Sequence, residues 1–109
     1  MQANPNDAGA QAGKAQAGLF ARAAALDPQS TLAAANGSDD VTSQLAAADV
    51  EMITGQVEAA FERLIGLIKR LSGDERNQVR VRLLELFDTL GNADERVLKA
   101  RRDLMTALF

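Results

Sequence analysis

Three carboxylates, Glu51, Glu58 and Glu62, are the residues of this sequence best spaced for acid–base or metal chemistry. Glu58 and Glu62 stand one helical turn apart, so a helix would place them on one face. A carboxylate di-metal site needs histidine partners in an E-x-x-H arrangement, and a hydrolytic triad needs histidine as its base. The sequence contains no His and no Cys. That removes both chemistries, along with disulfides, thiol catalysis and the common zinc sites. The carboxylates read as solvated or ion-paired groups. The expectation is a protein that is not an enzyme, with no cofactor and no metal.

Arg76, Arg80 and Arg82, with Arg101 and Arg102, are the residues that could bind an anion. A nucleic-acid surface would add aromatic side chains on which bases stack. Here only 4% of residues are aromatic, all of them Phe, and Glu75, Glu85 and Asp88 interleave with the arginines. The net charge is −3 and the pI about 4.8, which disfavours nucleic acid as the partner. A solvated, ion-paired face is the expected reading. The charge is uneven, since residues 57–109 hold 10 of the 12 Lys and Arg side chains.

These groups need elements to hold them. With 47% apolar residues, the chain is too hydrophobic to be disordered throughout, and 109 residues suit one domain. Without Trp or Tyr the core must be built from Leu, Ile, Val and Ala, a composition that favours helix. The clearest element is VRVRLLELFDTLG at 79–91. Val79, Leu83, Leu86, Phe87 and Leu90 share one face of a 3.6-residue period, Leu84 widens it, and Gly91 ends it.

Taken in order, residues 1–6 are expected as an extended lead-in and 7–109 as one helical domain. A first helix over 7–25, starting at an Asp7 cap, is rich in Ala and Gln but weakened by Gly9, Gly13 and Gly18. Asp27-Pro28 opens a short helix to Ala35. Asp39 or Asp40 caps a helix to about Thr54, and Gly55 turns the chain. A helix over 56–71 carries Val57, Phe61, Leu64 and Ile68. Ser72 and Glu75 fit a capping box before the helix ending at Gly91. Asn92 or Asp94 caps a final helix through Val97, Leu98, Leu104, Met105 and Leu108. The fold class expected is all-α, about six antiparallel helices in tetratricopeptide-like helical hairpins. The first residues, MQANPNDAG, read like the interior of a longer protein. No apolar run reaches the ~18 residues that span a membrane.

A repeat register accompanies the hairpins. Asp7 pairs with Asp40 and Ala15 with Ala48, at a spacing near the ~34 residues of a tetratricopeptide repeat. The best local match supplies the repeat-packing residues Ala48, Gly55, Ala60 and Leu64. Small residues at 48 and 60 would let two helices cross closely, and Gly55 would permit a short turn. Gln44 and Glu51 stand where the repeat pattern has large aromatics, and Ser72 where it has a closing proline. An ordinary helical bundle is the alternative.

The second half carries a more specific resemblance. Gly55 and Val57–Phe61 with Arg63 and Leu64, then Gly73–Arg76 with 79–91, then DERVLKARRDLMTALF at 94–109 resemble the C-terminal region of the thioredoxin–tetratricopeptide co-chaperones, the chaperedoxin or YbbN type. The resemblance implies a cytoplasmic, non-catalytic interaction domain. Its partners would be unfolded client proteins and a chaperonin or Hsp70-type chaperone. It implies no redox activity in these residues, which show neither a βαβ pattern nor Cys-x-x-Cys. The terminal helix, with Arg101, Arg102, Met105, Leu108 and Phe109, is the candidate partner-binding element; a capping helix that closes the core is the plainer reading. The first helix, with its glycines, is a second candidate, as part of a client groove. The alternative function is a structural or homodimerising module without client binding.

Overall fold

Asp27, Asp40 and Asp94 each start a helix. Their carboxylates accept the N–H groups of Ser30 at 2.9 Å, Ser43 at 3.0 Å and Arg96 at 2.8 Å, satisfying donors that a helix start leaves without partners. The computed structural model describes residues 8–109; the expected lead-in and the Asp7 cap lie outside them. Six helices follow one another: α1 (Ala8–Ala24), α2 (Pro28–Ala35), α3 (Val41–Ile53), α4 (Val57–Arg70), α5 (Gly73–Leu90) and α6 (Glu95–Leu108). Among the described residues there is no strand. The all-α expectation holds, and the first four helices fall within one residue of the bounds read from the sequence, while α5 begins six residues ahead of the 79–91 stretch.

One expected cap is not formed. Ser72 precedes α5, but its hydroxyl makes no capping bond. The backbone swings through the left-handed region at Gly73 (φ +62), which carries Ser72 out of line with the first-turn N–H groups. The capping box with Glu75 therefore has no geometry in which to close.

The α3–α4 hairpin is built as the small residues suggest. Ala48, Ala60 and Leu64 are all 0% exposed, and Gly55 makes the turn at φ +85, a conformation that costs a side-chain-bearing residue energy. Small side chains at buried positions permit close approach of two packed helices. On α5, Val79, Leu83, Leu86 and Phe87 are completely buried. Phe87 meets Phe61 of α4 edge to face, with ring centroids 5.0 Å apart, a geometry that matches the ring quadrupoles.

The neighbours of α5 differ from the expected ones. The sequence suggests α4 and α6, because short connections favour adjacent packing. In the structure α5 packs on α4 on one side and on α1 and α3 on the other, while α6 lies chiefly against α4. The contacts that seat α1 are its buried Leu19 and Ala23 and the hydrogen bond from Gln16 Nε2 to the Thr89 carbonyl of α5 at 2.8 Å. Two outcomes follow. Ala60→Leu overfills the α3–α4 crossing and lowers unfolding free energy by about 1–3 kcal/mol, read from the urea midpoint. Asp94 is held at about 2, first by the Arg96 side-chain hydrogen bond, so its contribution is complete above the usual carboxylate pKa and lost as pH falls from about 4 through 2. Asp94→Asn, which can cap without charge, flattens the thermal-melting profile across that window.

Candidate protein-interaction site

The terminal helix splits its candidate residues between two faces. Val97, Ala100 and Leu104 are buried, which turns the opposite stripe to solvent. On that stripe Leu98 is 44%, Met105 60% and Phe109 97% exposed, with exposed Arg102 between them. The spacings of four, three and four residues keep all four on one side of the helix. Of the five residues singled out in the sequence, Arg102, Met105 and Phe109 face outward. The other two turn inward. The Arg101 guanidinium lies over the Phe87 ring, 5.0 Å from its centroid, and donates to Asn92 Oδ1 at 3.0 Å. Leu108 packs half-buried on the core. Leu98, read in the sequence as part of the helix's apolar series, joins the outward set.

The carboxylates considered for metal chemistry lie apart, Glu58 and Glu62 on a groove and Glu51 in an ion pair with Arg63. Among the described residues no group of three or more His, Cys, Asp or Glu could hold a metal ion. Glu58 and Glu62 border a shallow groove of about 190 Å³ between α4 and α6, facing Arg96, Lys99 and Asp103. Lys99 donates to Asp103 at 3.0 Å. That hydrogen bond, helped by the fields of Glu62 and Glu58, holds the Lys99 pKa above its ordinary value. With Glu95 also on the rim, four carboxylates meet two cations, Arg96 and Lys99, so the groove edge is net acidic. Glu51 accepts two bonds from Arg63, at 2.7 and 3.3 Å.

Arg63 also explains why Gln44 and Glu51 can stand where the repeat pattern has aromatics. Both are only 6% exposed. Arg63 donates to Gln44 Oε1 at 2.8 Å, and Gln44 Nε2 donates to the carbonyls of Ala35 and Ser38, each at 2.7 Å. A hydrogen-bonded network fills the space that rings would fill, and it ties α2, α3 and α4 together. Each member has its partners, which is the condition for burying polar groups at little cost.

The arginines do not gather into a patch. Arg80 bonds Asn77, Arg76 donates to the Leu108 carbonyl at 3.4 Å, and Arg82 turns inward to Asp49 at 2.9 Å. This last contact belongs to a site that was missed in the sequence. Asp49 is 1% exposed and receives Arg22 from α1 as well, Nε to Oδ2 at 2.9 Å and Nη2 to Oδ1 at 3.2 Å. Arg22 reaches Glu85 of α5 at 3.5 Å. One carboxylate on α3 therefore binds α1 and α5 at once. The signal was present: Leu45, Ala48, Asp49 and Met52 share a helical face, and a lone acid on an apolar face demands a cation.

The family profile described as tetratricopeptide repeat matches residues 21–109. Uncharacterized proteins of Mycobacterium tuberculosis and Mycobacterium bovis are each 44% identical over all 109 residues, which make up 36% of their own length. The chain thus spans about a third of these relatives. No solved structure matches it. Asp49→Ala removes the acceptor shared by two part-buried arginines, which keep Glu85 within reach, and lowers unfolding free energy by about 1–3 kcal/mol. Arg22→Ala costs less, because Arg82 still pairs the carboxylate; parallel chemical-denaturation curves measure both.

Proposed function

Because the chain belongs to the tetratricopeptide repeat family, whose helical hairpins serve protein–protein interaction, we propose that it is the interaction domain of a thioredoxin-type co-chaperone. In this reading it holds unfolded clients and presents them to a chaperonin or Hsp70-type chaperone. The observation that carries the reading is the outer stripe of α6, where Leu98, Met105 and Phe109 are exposed around Arg102. An apolar stripe flanked by a cation can cover exposed hydrophobic segments of a client through area burial, while the charge keeps the domain soluble. The likeness of α4, α5 and α6 to the chaperedoxin C-terminal region supports the same assignment, and no helix of the described residues is long and apolar enough to cross a membrane.

The mechanism is differential binding. A client gains by burying apolar surface only while it is unfolded, so the domain binds that state and releases the native one. No residue has to do covalent chemistry. Homodimerisation through the same stripe is the second reading, favoured by the same exposed side chains.

Light scattering of a heat-unfolded client separates the outcomes. The unaltered domain, in a few-fold molar excess, suppresses aggregation, and Met105→Ser/Phe109→Ser loses most of that effect while keeping its helical circular dichroism. Absence of suppression by the unaltered domain overturns the holdase reading. Sedimentation as a dimer at micromolar concentration that becomes monomeric in the double variant supports the second reading instead.

A further inference from the structure

We propose that α1 is an internal occupant of a helix-binding groove between α3 and α5, and that a helix of another protein carrying a leucine and, three residues later, an arginine takes its place. The groove lies on the side of α3 and α5 away from α6, and α1 is seated across both helices. It is a different surface from the α6 stripe, and the inference does not depend on the co-chaperone reading.

The contact is specific but thin. Among the described side chains of α1, at positions 9–24, Leu19 and Ala23 alone are buried. Ala12, Ala15, Gly18 and Arg22 line the same face and are half-buried. Phe20, the largest apolar side chain of the helix, points away and is 63% exposed. Two polar bonds add direction: Gln16 Nε2 donates to the Thr89 carbonyl at 2.8 Å, and Arg22 binds Asp49. The groove thus reads a leucine, an arginine one turn on, and a small residue beside it.

Removal of α1 does not strand its partner. Asp49 Oδ2 also accepts Arg82 Nη1 at 2.9 Å, so the buried carboxylate keeps a cation when Arg22 leaves. The groove is therefore a built receptor for positive charge that stays satisfied when empty, and a second positively charged helix meets the same complementary carboxylates, Asp49 and Glu85. The helix that fills it is itself weakly formed. A Cβ built at Gly13 would meet nothing within 4 Å, so this glycine serves no packing need and only lowers helical stability.

That last feature makes the occupant tunable. A fluorescein-labelled peptide of residues 8–26 is titrated into the full chain by anisotropy. Leu19→Ala/Arg22→Ala in the chain vacates the groove and binds the peptide at least about tenfold more tightly than the unaltered chain. Gly13→Ala stiffens the resident helix and binds the peptide about fivefold more weakly than the unaltered chain, the effect of one Gly-to-Ala helix increment. A peptide with its arginine replaced by alanine loses binding. Met105→Ser/Phe109→Ser leaves the titration unchanged, which keeps this test separate from that of the α6 stripe. Hydrogen exchange gives an independent reading, with α1 amides opening well before those of α3 and α4. The proposal is overturned if the Leu19→Ala/Arg22→Ala chain is folded by circular dichroism and binds no peptide, if the peptide's arginine is dispensable, or if α1 exchanges only with global unfolding.

Discussion

The carboxylate of Asp49 is the point on which the arrangement of α1, α3 and α5 depends. A charge removed from water must be paired and hydrogen-bonded or it opposes folding. Asp49 is satisfied by Arg22 and Arg82 together, and these come from helices distant in sequence. Apolar contact alone would allow α1 to slide along α5, because a face of Ala and Gly packs almost equally well in several registers. A carboxylate with two defined acceptor oxygens does not allow it. The pair therefore specifies where α1 sits more than how strongly it is held.

The same device appears at the Gln44–Arg63–Glu51 network. There a polar cluster replaces aromatic packing and fixes α2, α3 and α4 in relation to one another. With Phe61 and Phe87 buried, Phe20 and Phe109 exposed, and neither Trp nor Tyr in the sequence, the core is short of large rigid groups that interlock, and buried hydrogen bonds supply the missing orientation. Arg101 does related work from outside, laying its flat guanidinium on Phe87 and closing the core edge that α6 leaves open.

Helix positions were legible in the sequence because they rest on local signals: Asp before a helix, Gly after one, and an apolar period between. That Ala48 and Ala60 face inward follows from the same local period. Partner choice was not legible. Nothing local says that α5 packs so largely on α1, because that depends on how the faces of several helices compete for area at once. The split of the terminal helix was also hidden. Arg101 and Arg102 are adjacent and chemically alike, and only the tertiary position of Phe87 decides that one lies on a ring and the other in water. Asp49 could have been found by asking what an acid does on a stripe with Leu45, Ala48 and Met52.

The contact between Gln16 and Thr89 joins residues 73 apart in the chain. Closing so long a segment carries an entropic cost that neighbouring hairpins do not meet. The pairs α2–α3, α3–α4 and α4–α5 form from short separations, whereas α1 has no complete seat until α5 exists. Within this segment α1 leaves the ribosome ahead of the other helices and has its full seat only once α5 has been made. Arg22 gains its carboxylate once α3 is made, but the cover of Leu19 is incomplete until α5 follows, so the earliest helix of the segment is the one open longest to capture by other proteins in the cell.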